Sequence, residues 1–246
     1  MTRIGIDVGS TYTKYCIKEQ EKITELFEEK TPIRQAEYFH QKLTGFLERF
    51  PDAEFISCGY GKENIEGTRS INELTALARG TAFFSPDSDV VLDIGGQDTK
   101  VIVQKDGRLQ KFFINDRCAA GSGMFLYNTL NLLEKDFSSV KLTGDQPPKI
   151  TLNSVCAVFA QSEIVKLLAG NADPDDIIYA VIWHILTQAK ILLTKVNIGS
   201  NGILLSGGLT RVKDFDAVAT KVLQKKCYVL PQSDYLSAIG CALHEL

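Results

Sequence analysis

An α/β protein of two related domains is the architecture this sequence predicts, on three observations. A motif of the form D-[VI]-G-x-x-x-T-K occurs twice, at residues 7–14 (DVGSTYTK) and 93–100 (DIGGQDTK). Each copy lies between apolar runs, at 4–6 and 15–17 for the first and 90–92 and 101–103 for the second. That pattern reads as strand, glycine turn, strand. Stretches of helical periodicity alternate with such strands, which indicates the α/β class. A repeated hairpin implies a repeated domain, and 246 residues suffice for two modest cores. The expected division is 1–90 plus 232–246 for a discontinuous N-terminal domain and 91–231 for the second.

In chain order, helices are expected at about 35–50, 72–84, 119–134, 157–169 and 175–195. Asp173 followed by Pro174 is a helix start, because aspartate caps the free N–H groups and proline fits the first turn. The 142–149 stretch, with Gly144 and two prolines, reads as an exposed connection. A third glycine turn, ILLSGGLT at 203–210, follows an apolar strand and opens a polar segment of helical character. Trp183 is expected in the core.

Composition limits the function classes. With 44% apolar residues, 23% charged residues and a net charge of −3, the chain has the make-up of a soluble globular protein. It carries no block of lysine or arginine, so neither nucleic acid nor an anionic membrane surface is an expected partner. The beginning, MTRIGIDVGS, lacks the pattern of a secretory signal, and a cytoplasmic location is expected. Residues 177–193 are apolar but interrupted by His184, Thr187, Gln188 and Lys190, as in a buried helix. Six cysteines without C-x-x-C spacing make a poor disulfide framework. His40, His184 and His244 show no ligand spacing and read as structural or exposed.

The glycine turns carry the chemistry. A turn without side chains lets backbone N–H groups approach a phosphate, which nominates Gly9, Gly95 and Gly96. Ser10, Thr11 and Thr13 add hydroxyl donors, while Lys14 and Gln97 belong to the same two loops. Asp7 and Asp93 suit Mg²⁺, a hard cation that takes oxygen ligands and keeps much of its water. There is no G-x-x-x-x-G-K-[ST] and no G-x-G-x-x-G, so neither a P-loop nor a dinucleotide fingerprint is present. Cys118 and Cys156 each stand ahead of an expected helix. Exposed N–H groups there favour thiolate and an anionic metal cluster; buried small side chains are the other reading of the same spacing.

IGIDVGSTYTK, VVLDIGGQDTKVI and ILLSGGLTR resemble the two phosphate motifs and the adenosine motif of the actin, hexokinase and heat-shock-chaperone superfamily. The resemblance implies two duplicated actin-like, ribonuclease H-like domains with ATP or ADP in the interdomain cleft, and Gly207 and Gly208 against the adenosine. NELTALARG at 72–80 resembles the first interdomain helix and places Glu73 toward the γ-phosphate. SAIGCA at 237–242 resembles the second. Either Glu73 or Gln97 would then position the attacking water.

NDRCAAGSG at 115–123 and NSVCAVFAQSE at 153–163, together with DIGGQDTKVI, resemble the activators of 2-hydroxyacyl-CoA dehydratases and the related benzoyl-CoA reductase ATPase subunits. The resemblance spans essentially the whole chain. It implies one [4Fe–4S] cluster per homodimer, held by Cys118 and Cys156 from each of two copies, a ferredoxin or flavodoxin as electron donor, and an iron–sulfur dehydratase or reductase as partner. Compact members resembling this chain leave a double-cubane cluster protein as the alternative partner. Ser122 stands where the family pattern has threonine. Cys16, Cys58, Cys227 and Cys241 match no ligand position and are expected to pack. Two other readings remain: a small-molecule kinase of the same fold, with Asp98 as base, and a nucleotide-dependent interaction protein without a cluster.

Overall fold

The structure, a computed structural model, describes residues 1–116, 119–142, 146–153 and 156–244. They divide into two compact units, Met1–Ser88 with Val103–Lys111 and Tyr235–Leu246, and Asp89–Ile102 with Phe112–Asp234.

In the first unit, β1 (Thr2–Val8), β2 (Tyr12–Glu19) and β3 (Lys22–Lys30) form an antiparallel meander. Helix α1 (Gln35–Arg49) then leads to β4 (Glu54–Gly59), which lies parallel to β1, and on to the short β5 (Arg69–Ser70). The sheet order is β3-β2-β1-β4-β5. Ile4, Ile6 and Val8 point to one face of β1 by the two-residue period of a strand. They cluster with Phe39, Leu43 and Phe46 of α1, whose spacing of four and three residues makes a helical stripe. Tyr15 and Phe27 extend this core as a stacked pair with ring centroids 4.7 Å apart. Helix α2 (Glu73–Phe84) is capped by the Asn72 side chain, which accepts from the Leu74 N–H at 2.9 Å. The hairpin tip at 103–111 groups with this unit, where a Cβ built on Gly107 would lie 3.4 Å from that of Ala82. The division expected from sequence runs unbroken over 91–231, whereas a hairpin tip is continuous in chain but can pack elsewhere.

The second unit repeats the plan. Its strands are β6 (Val90–Ile94), β7 (Thr99–Lys105), β8 (Arg108–Asn115), β9 (Ile203–Ser206) and β10 (Cys227–Val229), in the order β10-β9-β6-β7-β8. Read from the other edge, this is the order of the first sheet, with β9 parallel to β6 as β4 is to β1. Helices α3 (Gly123–Leu132), α4 (Ala157–Ala169), α5 (Pro174–Leu193) and α6 (Phe215–Leu223) complete the unit. The single helix expected at 119–134 is a 3₁₀ turn, Ala119–Gly121, followed by α3, with Ser122 between them. Helix α5 starts as expected, with the Asp173 carboxylate accepting from the Asp175 N–H at 2.9 Å and Pro174 in the first turn. Ile177, Ile178, Val181, Ile182 and Ile185 of α5 are wholly buried, each such side chain contributing about 1.5–3 kcal/mol. Among the described residues α5 is the one helix long and apolar enough to cross a membrane, and 61% of its most apolar window is buried within the fold. Trp183 is half-buried and meets Tyr179 edge-on at 5.9 Å. Part of the 142–149 connection, residues 143–145, lies outside the described residues.

The final helix, α7 (Leu236–Ala242), returns to the first unit and crosses α2 at backbone contact. A Cβ on Gly240 would sit 1.7 Å from the Ala76 carbonyl oxygen. Only glycine permits that approach.

Candidate functional site

The first glycine turn joins β1 to β2. It is braced by Thr31, whose hydroxyl donates to the Gly9 carbonyl at 2.7 Å and whose N–H donates to the Thr11 carbonyl at 2.9 Å. Thr13 is wholly buried, with its hydroxyl 3.0 Å from that of Thr31. Its position braces the hairpin, whereas sequence reasoning counted it among the phosphate donors. Ser10 is exposed, and Gly9 and Thr11 are half-buried. Lys14 is also half-buried and lies opposite Asp7 in the β1–β2 register.

Asp7 is buried near the end of β1, with Cys58 of β4 across from it. The Cys58 thiol donates to Asp7 Oδ1 at 3.7 Å. A hydrogen bond with Cys241 and then burial push the Cys58 thiol well above its usual range, and the nearby Cys241, Asp7 and Glu73 raise it further. The thiol therefore keeps its proton and remains a donor to Asp7. Glu73, at the first position of α2, lies near enough to act on the same thiol. The fold thus gathers Asp7 and Glu73 around Cys58. Sequence reasoning assigned Cys58 to packing alone, because the β1–β4 pairing that brings it to Asp7 spans 51 residues.

The second glycine turn joins β6 to β7, with Gly95 and Gly96 half-buried and Gln97 exposed at its tip. Beneath it lies a buried ionic triad. Lys100 Nζ is 2.9 Å from Asp98 Oδ1 and 3.5 Å from Asp93 Oδ2, and all three residues are buried. Lys100 thus sits between the two carboxylates. The sequence motif makes Lys14 and Lys100 equivalent, but packing separates them: Lys14 is half-exposed and Lys100 is buried. The same triad bears on the kinase reading, since Asp98 is 4% exposed and paired with Lys100, unlike a base that must reach a substrate hydroxyl. The carbonyls of the turn are engaged as well. Gly95 O accepts from the Gly123 N–H at 2.8 Å and Gly96 O from the Met124 N–H at 2.9 Å.

At the third turn, Gly207 has φ of +93°, and a Cβ there would meet the Ile94 carbonyl oxygen at 2.2 Å. Glycine is required by both the conformation and the contact. A Cβ on Gly208 would meet nothing within 4 Å, so this backbone is open to a ligand. The segment expected to be helical begins as a 3₁₀ turn, Gly208–Arg211, and becomes regular only at α6. Ser206 donates to the Ser233 carbonyl at 2.8 Å, and Arg211 pairs with Asp234 at 2.7 Å.

Cys156 is exposed and occupies the N-cap of α4 in extended conformation, φ −96° and ψ 131°. Its thiol makes no capping hydrogen bond, and the first N–H groups of a helix favour a bound anion at that position. Asn153 is tied to α4, because the Glu163 carboxylate accepts from the Asn153 N–H at 3.0 and 3.2 Å and from Asn153 Nδ2 at 3.2 Å. Cys118 lies outside the described residues. Cys16, Cys58, Cys227 and Cys241 are buried free thiols, and no three His, Cys, Asp or Glu side chains form a metal-binding group among the described residues. An exposed thiol at a helix N-terminus fits one corner of an anionic iron–sulfur cluster. His40 is exposed, while His184 Nε2 and His244 Nδ1 are buried without a hydrogen-bond partner.

Known proteins resemble this chain over its full described length. The (R)-2-hydroxyglutaryl-CoA dehydratase activating ATPase of Acidaminococcus fermentans is 32% identical, covering 98% of this chain and 95% of its own. Among solved structures, the (R)-2-hydroxyglutaryl-CoA dehydratase component A of Acidaminococcus fermentans superposes with a TM-score of 0.87 at 29% identity, covering 99% of this chain and 96% of that one. The activator of the 2-hydroxyisocaproyl-CoA dehydratase from Clostridium difficile, with bound ADPNP, gives 0.85 at 29% identity, covering 99% and 93%. The two-unit α/β architecture is accordingly the actin-like ATPase fold. Residues 4–244 match the BadF/BadG/BcrA/BcrD ATPase family, and the chain belongs to that family.

Proposed function

We propose that this chain is an ATP-driven donor of low-potential electrons to an iron–sulfur enzyme. The observation that carries the reading is Cys156. It is the exposed thiol at a helix N-terminus, among described cysteines that are otherwise buried, in a family whose named relatives include dehydratase activators. Cys118 and Cys156, with the same pair from a second copy, would hold one [4Fe–4S] cluster, completing four thiolates. Such a cluster supplies a one-electron carrier when bound.

The phosphates of ATP are held by the backbone of Gly9, Gly95 and Gly96, with Ser10, Thr11, Lys14 and Gln97 at the turn surfaces. Asp7 and Asp93 would hold Mg²⁺ through its water, Asp7 with its carboxylate fixed by Cys58 and Asp93 with part of its charge balanced by Lys100. Glu73 or Gln97 orients the attacking water, and Gly207 and Gly208 lie against the adenosine. Thr13 contributes by bracing the first turn. The electron source is a ferredoxin or flavodoxin, and the acceptor is a 2-hydroxyacyl-CoA dehydratase or a related cluster protein in the cytoplasm. ATP drives the step only to the extent that it binds two conformations unequally.

The test is anaerobic purification followed by iron analysis and a visible spectrum. The parent is expected to be brown and dimeric, and Cys156→Ser colourless with ATP affinity retained, since a hydroxyl is a poor soft-metal ligand. Full iron content in Cys156→Ser, or a parent that takes up no cluster on reconstitution, would overturn the electron-transfer reading and leave the ATPase standing.

A further inference from the structure

The turn that follows Cys118 in the chain is hydrogen-bonded to the second phosphate loop. A helix leaves its first N–H groups without internal partners. In α3 two of these, on Gly123 and Met124, end on the carbonyls of Gly95 and Gly96 at 2.8 and 2.9 Å. The loop itself therefore caps the helix. Ser122 stands at the N-cap, where a serine oxygen ordinarily accepts from a helix N–H, yet it makes no such bond. Its hydroxyl instead lies 3.0 Å from the Gly96 carbonyl and 3.0 Å from the Ala119 carbonyl. One hydroxyl carries one proton. Ser122 thus has two alternative acceptors, one on the phosphate loop and one in its own turn. From the other side, the Thr99 hydroxyl donates to the Gly121 carbonyl at 2.5 Å. Ser122 and Thr99 are 0% and 1% exposed, so water cannot replace either bond.

We infer that Ser122 is a coupling residue that transmits the position of the 95–96 loop to the 119–124 turn and the N-terminus of α3. The inference rests on the nucleotide reading given above, in which Gly95 and Gly96 meet phosphate. A shift of the loop must either carry the N-terminus of α3 with it or leave buried donors without partners. Following the loop is the lower-energy course. The hydroxyl can turn its O–H from the Gly96 carbonyl to the Ala119 carbonyl, which supplies the two discrete arrangements that coupling between sites requires. Threonine keeps the hydroxyl, so Ser122→Thr preserves the device.

The experiment is amide hydrogen exchange on the full-length chain, purified anaerobically, in the presence of ADP or the non-hydrolysable analogue ADPNP. In the parent, exchange across 119–131 is expected to differ between the two nucleotides by about 5-fold or more, the lower end of typical coupling factors. In Ser122→Ala the difference should fall below about 2-fold, while ATP affinity by calorimetry stays within about 3-fold of the parent. Ser122→Thr should restore it. Thr99→Val removes the second cross-bond independently and should reduce the difference as well, which keeps the test available if Ser122→Ala does not fold. A parent that binds ATP with no nucleotide-dependent exchange in this segment, or a Ser122→Ala that retains the full difference, overturns the coupling and leaves nucleotide binding intact. A parent that binds no ATP overturns both.

Discussion

Replacing Lys100 by methionine keeps most of the side-chain volume and removes the only charge of its sign in the triad with Asp93 and Asp98. The attraction at 2.9 Å to Asp98 and at 3.5 Å to Asp93 amounts to about 5 kcal/mol for each pair at an effective dielectric of about 20, before desolvation is subtracted. What the substitution leaves behind matters more, namely two buried carboxylates that have both lost their contact with Lys100. Breaking a buried ion pair in this way costs about 3–5 kcal/mol. The only tryptophan, Trp183, lies in the second unit with the triad, so its fluorescence reports the unfolding of that unit during urea titration. With a slope near 3 kcal/mol per molar, the midpoint should fall by about 1 M or more. Asp98→Asn alone removes the nearer carboxylate and still leaves Lys100 beside Asp93, so it should cost less. Lys100→Met made in the Asp98→Asn background should cost at least about 1 kcal/mol less than in the parent, because directly contacting charges couple. A midpoint shift below about 0.3 M for Lys100→Met, or strict additivity in the cycle, would refute the buried triad.

Thiol chemistry gives a second check. In the cluster-free protein, iodoacetamide at pH 8 should modify Cys156 first among the described cysteines, with mass spectrometry assigning the site. Burial, then Cys241, pushes Cys16 up to about 12, and burial pushes Cys227 up to about 11; rapid labelling of either would contradict their placement. His184 predicts a pH dependence. Burial holds its folded-state value below the ordinary 6.5, against a smaller opposing effect of Glu163. Below pH 6.5 the unfolded chain therefore binds more protons, and stability should fall as pH drops through that value. His184→Gln should flatten this part of the melting-temperature profile, and an unchanged slope would count against the buried neutral ring. Gly240→Ala should lower the melting temperature of the first unit by several degrees, as overpacking of about 1–3 kcal/mol requires. The predicted contact is with the Ala76 carbonyl, and an unperturbed melt would show that the two helices do not meet there.

Much of the architecture was legible in local pattern. The repeated D-x-G-x-x-x-T-K marked the two hairpins, β1–β2 and β6–β7, because alternating apolar residues and a glycine turn act over a few neighbours. Asp173 and Pro174 marked the start of α5 for the same reason. Capping joins residues two or three apart. The third glycine turn was placed correctly but its helix was drawn too early, since the 3₁₀ turn at Gly208–Arg211 depends on what surrounds Gly207.

By itself, the sequence determined two copies of one hairpin motif, three glycine turns in a fixed order, and two cysteines placed ahead of helical segments. Tertiary structure decided what those residues touch. Lys14 and Lys100 occupy the same motif position, yet one is half-exposed and the other closes a buried triad. Thr13 turned inward to Thr31, and Cys58 reached Asp7 through a parallel strand pair formed across 51 residues. Ser122 left its expected helix to face the second glycine turn at Gly96, 26 residues earlier in the chain. Turn and cap preferences are carried by neighbouring residues, whereas burial and long-range pairing are fixed by the summed packing of a whole unit, which no single segment encodes.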